Sequence, residues 1–464
     1  MGWFGRRVFR SLPSWPALVC LAGILAPVTP AAFAAGLPSS PADGPGILIP
    51  LSFERYPDDQ SASAGRRTML TLQETPPDGH WVLPVWVGEK PLFGILRIGS
   101  REHLVAIDRQ DEQSPFYDRL YIDLGLHGDL TKTPPLLGEA RLQRRSTLYE
   151  CTFPPLDLDI VQEGHLLPYC VAIQVRQART AERIFFRDDD ANIQTSVHLT
   201  YSPHCAYSGE AVIDGAPYSF TLLDQTSNGR FDDRGRLSTH SSMRVPHLLY
   251  SGDALQVTRA GENSPVRFLL GDALAIGNRL FDLHIDIPSG WLRLEPRSHP
   301  VGLLAFPYPV RAMGLLHETG SVMVYQAAEQ VLVPAGEWRL QSYEMNQSDE
   351  WGDIWSIQAR GSANTAPLHI LEDTTTVFPG GEPLQAAVSI AEAQLNNAVS
   401  TNSLRMSFRI LGDAGEDVVN IQHDSGTNTQ HKRSGYQLRR PAPPTFQIIR
   451  PNGERVFSGS FEYG

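Results

Sequence analysis

Short runs in which apolar and polar residues alternate, bounded by Gly, Pro, Asn and Asp, recur along most of this chain. Such a two-residue period is the mark of a half-buried β-strand. Trp81 to Val87, Phe93 to Ile98, Leu104 to Ile107 and Leu120-Tyr121-Ile122 are early examples. Val171, Ile173 and Val175 alternate with Ala172 and Gln174, and Leu283, Ile285 and Ile287 with His284 and Asp286. Sustained 3.6-residue periodicity is missing; the best helical candidate, Ile390 to Ala398, is short and polar. The 36 prolines and 39 glycines are spread throughout. The pattern predicts an all-β protein of several units.

An internal echo organises the first part. Tyr121-Ile122-Asp123 leads to Gly128 as Leu222-Leu223-Asp224 leads to Gly229: apolar strand residues, an Asp, then a Gly five positions on. The expectation is two duplicated β modules, 79–200 and 201–300, with coincidence as the alternative. Residues 301–464 form the third unit. There Val331-Leu332-Val333-Pro334-Ala335-Gly336-Glu337-Trp338 suggests a strand, a Pro–Gly turn and a returning strand. Leu404, Met406, Phe408 and Ile410 alternate with polar neighbours, and Phe446 and Ile448 suggest a last strand. The Val-Pro-x-Gly-x-Trp run resembles a hairpin of transthyretin-like and collagen-adhesin B-type (Ig-like) sandwiches, which implies a β-sandwich for this unit.

The ends concern location. Arg6, Arg7 and Arg10 precede an apolar stretch from Trp15 to Val28, and Ala32-Phe33-Ala34 offers a small-x-small cleavage site. Residues 1–34 are expected to be a signal peptide, through either the Sec or the twin-arginine route. Val19 stands where a lipoprotein signal wants a small residue before Cys20, so no lipid anchor is expected. Residues 35–78 read as a flexible lead-in, with Ile47-Leu48-Ile49 and Met69 to Leu72 as strands within it. No later stretch approaches the ~18 apolar residues of a membrane span. The expected location is periplasmic or extracellular. Without the three leader arginines the formal charge of −12 becomes −15. So acidic a chain is a poor partner for nucleic acid or anionic membrane.

Three cysteines follow the leader: Cys151, Cys170 and Cys205. An oxidising compartment permits one bridge, and Cys151–Cys170 is the expected pair because both lie in one segment; three buried thiols are the alternative.

The most specific chemistry lies in Asp224-Gln225-Thr226-Ser227-Asn228-Gly229-Arg230-Phe231-Asp232-Asp233. Asp224, Thr226 and Asn228 put side-chain oxygens at alternate positions, Gly229 supplies a sharp turn, and Asp232 and Asp233 return carboxylates. Hard cations take several oxygens in such a pattern, here with the Arg230 carbonyl as backbone ligand. The loop resembles the calcium loops of EF-hand, dockerin and thrombospondin-type repeats, which implies Ca²⁺. It departs from them at Thr226 and at Gly235, which stands where a closing acid belongs. An Asx-rich loop bonded to its own backbone explains the same residues. The Asp123 copy, with Gly125 and His127, reads as a structural turn, and Asp188-Asp189-Asp190 as a solvated linker.

A second binding candidate is Asp349-Glu350-Trp351-Gly352-Asp353-Ile354-Trp355. On a strand, Trp351 and Trp355 point to one side, where they could stack on sugar rings beside Glu350 and Asp353, or fill a sandwich core. No GxSxG, HExxH, P-loop or GxGxxG pattern is present. Together with the loop, the Val-Pro-Ala-Gly-Glu-Trp run and the Gly-Ser-Phe-Glu-Tyr-Gly end, the chain resembles secreted multi-domain β proteins of bacteria. The functional expectation is an exported, non-catalytic protein with a binding or structural role, its partners a cell-envelope component or polysaccharide. A polysaccharide hydrolase with carboxylates in an inter-domain cleft, or a carbohydrate-binding protein, are the alternatives.

Overall fold

The computed structural model describes residues 46–57, 67–142, 148–181, 193–238, 249–262, 264–297, 300–348, 354–389, 407–423, 445–449 and 452–460. Among these residues there are strands and turns and no helix, as the alternating pattern requires. No helix among them is long and apolar enough to cross a membrane. The signal peptide, the Ile390–Ala398 segment and the Asp188–Asp190 cluster lie outside the described residues.

A 12-stranded sheet runs through the molecule. It starts at Ile47–Pro50, passes through Trp291–Pro296, Arg279–Asp286, Ala273–Ile276, Ser321–Ala327, Val310–Leu316 and Gly336–Ser348, and ends at Gln385–Ser389. At its centre Ala273–Ile276 pairs in parallel with Ser321–Ala327. Parallel strands tolerate burial on both faces, and both faces are used here. Leu274, Ile276, Met323 and Tyr325 enter one hydrophobic core, while Ala273, Ala275, Val322 and Val324 enter a second. The first core continues through Leu96, Ile160, Tyr169, Leu222 and Phe231, so the segments 79–200 and 201–300 share one interior. The second is built from Val301 to Phe378.

Two expected strands turn out differently. Trp81 to Val87 makes only an isolated bridge at Val82. Pro84 lacks the N–H a ladder needs, and the segment instead lays Trp86 edge-on against Phe93 and Tyr121, at 5.4 and 5.3 Å. The Val331–Trp338 run is not a hairpin. Gln330–Pro334 pairs with Val301–Ala305, whereas Gly336–Ser348 joins the large sheet, so the chain changes sheet at Ala335. The Trp338 indole N–H closes this corner onto the Pro334 carbonyl at 2.9 Å, with Gly336 at φ +150°. The same device occurs at Pro77-Asp78-Gly79-His80-Trp81: indole to Pro77 carbonyl at 2.9 Å, Gly79 at φ +150°.

Candidate functional site

The loop from Asp224 to Asp233 leaves the end of the Ala216–Leu223 strand and enters the first core with Phe231, which is fully buried. Asp224 is itself fully buried. Its Oδ1 accepts the backbone N–H of Ser227 at 2.6 Å and of Asn228 at 3.3 Å. Its Oδ2 accepts the Gly229 N–H at 2.8 Å and the hydroxyl of buried Tyr169 at 2.9 Å. A carboxylate has about four lone-pair sites, so these donors saturate it. Burial pushes the Asp224 carboxyl up to about 6, against the pull of the Gly229, Tyr169, Ser227 and Asn228 donors. Burial likewise pushes the Tyr169 hydroxyl well up, helped by the neighbouring Asp224 charge.

A second buried carboxylate, Asp253, closes the loop from below. It accepts the N–H of Gln225 at 3.0 Å and of Asp233 at 2.9 Å, one near each end of the loop. Burial first and the Asp224 charge second push its carboxyl up to about 8. The outer rim is polar. Asp233 Oδ2 accepts from the Asn228 amide at 2.6 Å and the Thr226 hydroxyl at 3.2 Å. Arg230 forks onto Asp232 at 3.0 and 3.1 Å, and its Nε lies 3.6 Å from Asp233. The six residues expected as calcium ligands are therefore together, and the carboxylates of Asp224, Asp232 and Asp233 and the amide oxygen of Asn228 each face N–H or O–H donors. Among the described residues no group of three or more His, Cys, Asp or Glu side chains is gathered so as to hold a metal ion.

The echo at Asp123 has the same backbone. Asp123 accepts the N–H of His127 at 3.0 Å and of Gly128 at 2.7 Å. Leu126 and Gly128 have φ +55° and +70°; Ser227 and Gly229, at the matching positions, have +58° and +83°. The repeat is one of turn geometry.

The expected Cys151–Cys170 bridge is absent. Cys151 sits opposite Val175 on the His165–Ala181 strand, and Cys170 lies five residues along that strand, roughly 16 Å away at strand rise. A disulfide spans less than ~7 Å between Cα atoms. All three thiols are free and buried, and burial pushes Cys151 and Cys170 up to about 12. Trp355 is half-buried on the Ile354–Arg360 strand, opposite Gln347 and His423. Glu350, Trp351 and Asp353 lie outside the described residues.

Asp253 and Tyr169 carry no sequence signal: Tyr169 becomes legible only through Asp224, 55 residues away, and Asp253 only through Gln225 and Asp233, 28 and 20 residues away. The repeated Pro-x-Gly-x-Trp corner did have one, in its spacing. No family model, curated protein or solved structure matches the chain.

Proposed function

We propose that this is an exported, non-catalytic β protein of the periplasm or cell envelope with a binding or structural role. The observation that carries the reading is the commitment of Asp224. A carboxylate sealed by the N–H groups of Ser227, Asn228 and Gly229 and the hydroxyls of Tyr169 and Thr226 holds a loop rigid and has no lone pair left for a reacting atom. The rival is a hydrolase acting on polysaccharide, which needs two carboxylates that substrate can reach. Asp224 and Asp253, the two carboxyls among the described residues that burial raises, are both fully buried, which favours the non-catalytic reading.

Calcium is part of the proposal, at the rim rather than the centre of the loop. Asp232 and Asp233 set two carboxylates against the one Arg230 guanidinium, with the Glu163 charge also acting on it, and that excess favours a cation. Thr226, Asn228, Asp232, Asp233 and the Arg230 carbonyl would hold the ion once the Arg230 side chain swings away. Such a site belongs to the weak extracellular range, a Kd of roughly 10⁻⁴–10⁻³ M. At 1 mM calcium it adds about 0.4–1.4 kcal/mol of stability. The test is thermal unfolding of the mature chain with calcium and with chelator. A higher Tm with calcium is expected; coincident curves remove calcium from the proposal. Release of reducing ends from any polysaccharide by the purified protein would overturn the non-catalytic reading.

A further inference from the structure

The chain contains two Asn-Gly dipeptides: Asn228-Gly229 in the buried loop, and Asn452-Gly453 in the turn between the strands Thr445–Ile449 and Arg455–Ser460. An asparagine before a glycine can lose its side-chain amide without an enzyme. The glycine nitrogen attacks the side-chain carbonyl carbon, and glycine has no side chain to hinder it. The two dipeptides share one local geometry. Gly229 and Gly453 have φ +83° and +86°. In each, the N–H two residues beyond the Asn donates to its Oδ1, from Arg230 at 2.8 Å and from Glu454 at 3.1 Å. That donor polarises the carbonyl and lies where negative charge gathers as the nitrogen adds.

Their surroundings differ. The Asn228 carbonyl accepts the Gly99 N–H, the Gly229 N–H donates to Asp224 at 2.8 Å, and the Asn228 amide donates to Asp233 at 2.6 Å. Both ends of that peptide bond are pinned, and the leaving nitrogen is held as well. Ring closure needs the peptide plane to turn toward the side chain, and an N–H aimed at Asp224 is not aimed there. Gly229 is also buried against the Gly99 turn. At the other dipeptide Asn452, Gly453 and Glu454 are exposed, with open space beside Gly453. Among the described residues neither the Gly453 N–H nor the Asn452 amide has an acceptor.

We propose that Asn452 is a site of spontaneous deamidation, and that the fold protects Asn228 from the same reaction. The bond from Gly453 N to Asn452 Cγ forms, the Cγ–Nδ2 bond breaks, and the amide nitrogen leaves as ammonia with the proton from Gly453 N. Water then opens the cyclic imide at either carbonyl and returns an aspartyl or an isoaspartyl linkage. The sum is a water consumed and an ammonia released, with no oxidant or cofactor. Either product puts a carboxylate beside Glu454, and the isoaspartyl form lengthens the turn by a backbone carbon. Among the described residues the two strands pair only with each other, and a lone two-stranded hairpin is marginally stable. Deamidation therefore loosens this hairpin and leaves the two large cores intact. The reaction is independent of the binding or structural role proposed above.

The test is peptide mapping by mass spectrometry as the mature chain ages in mildly alkaline buffer, folded and in concentrated urea. In the folded chain Asn452 is expected to convert at least about a hundredfold faster than Asn228. Two charge-assisted hydrogen bonds must break at Asn228, and each slows the reaction about tenfold. In urea the two rates should become alike. Asn452→Gln should abolish conversion at this position, because the longer side chain would have to close a larger ring. No conversion at Asn452 in the folded chain overturns the proposal, and so do equal folded rates at the two sites. Protection of Asn228 that persists in urea also overturns it, since the fold would not be its cause. Hydrogen exchange over 445–460 should quicken in aged protein and not in aged Asn452→Gln; exchange unchanged by conversion would refute the loosening of the hairpin.

Discussion

Buried aspartates are the recurring device at the scale of single residues. Asp108, Asp118, Asp123, Asp224 and Asp253 are all buried, and each accepts at least one backbone N–H. A carboxylate in such a place substitutes for the water that loop N–H groups lose on folding. Removing it strands several donors at once. Asp224→Ala is expected to cost roughly 3–5 kcal/mol, since each orphaned donor costs about 1–3. Asp123→Ala, with two donors and no tyrosine, should cost less; urea unfolding of both variants checks the order. Titration belongs to the same scale. Unfolded, the Asp253 carboxyl titrates near 3.9; folded, it keeps its proton to about 8. Between those values the folded state binds more protons, so stability falls as pH rises. The contribution is full below pH ~4 and is lost as pH climbs through about 8. Asp253→Asn should flatten that decline in Tm between pH 5 and 9, and parallel curves for the two proteins would disprove the assignment.

Elements here are set by where the chain must turn sharply. Gly229 combines φ +83° with a wall: an added Cβ would come within 2.8 Å of the Gly99 nitrogen and of Ile98 Cγ2. That contact exists because Asn228 accepts the Gly99 N–H at 2.5 Å, tying the loop to the turn between Leu92–Ile98 and Arg101–Asp108. Gly164 has the same backbone, φ +84°, but open space around it. Gly164→Ala should therefore cost only the left-handed penalty, about 1–2 kcal/mol. Gly229→Ala should add about 1–3 kcal/mol of overpacking to it. Equal losses in chemical denaturation would mean that the loop is not pressed against the Gly99 turn. The Pro-x-Gly-x-Trp corners are of the same kind, since Gly supplies the φ and the indole satisfies a carbonyl the sheet has left behind.

Across the whole molecule, the two largest cores among the described residues lie on opposite faces of one sheet. Ala273–Ile276 sends alternate side chains into each, so neither core can lose this strand without exposing the other. Calorimetry of the mature chain should show the two cores melting in a single transition; two well-separated transitions would contradict the shared strand. The 224–233 loop faces the first core only, and variants there should lower that transition without splitting it.

The all-β class was legible in the alternation of residues such as Val171, Ile173 and Val175, because a strand's side-chain period is a local property of the backbone. So was the turn shared by Asp123 and Asp224, since an Asp and a Gly five positions apart bond within one loop. The fate of Val331 to Trp338 was not: two strands flanking a Pro–Gly turn look the same whether they pair with each other or with separate sheets. Only the packed molecule decided that Tyr169 and Asp253 would hold the Asp224 loop, and that Cys151 and Cys170 would sit far apart on neighbouring strands. These are contacts between distant residues, and no local pattern of the chain encodes them.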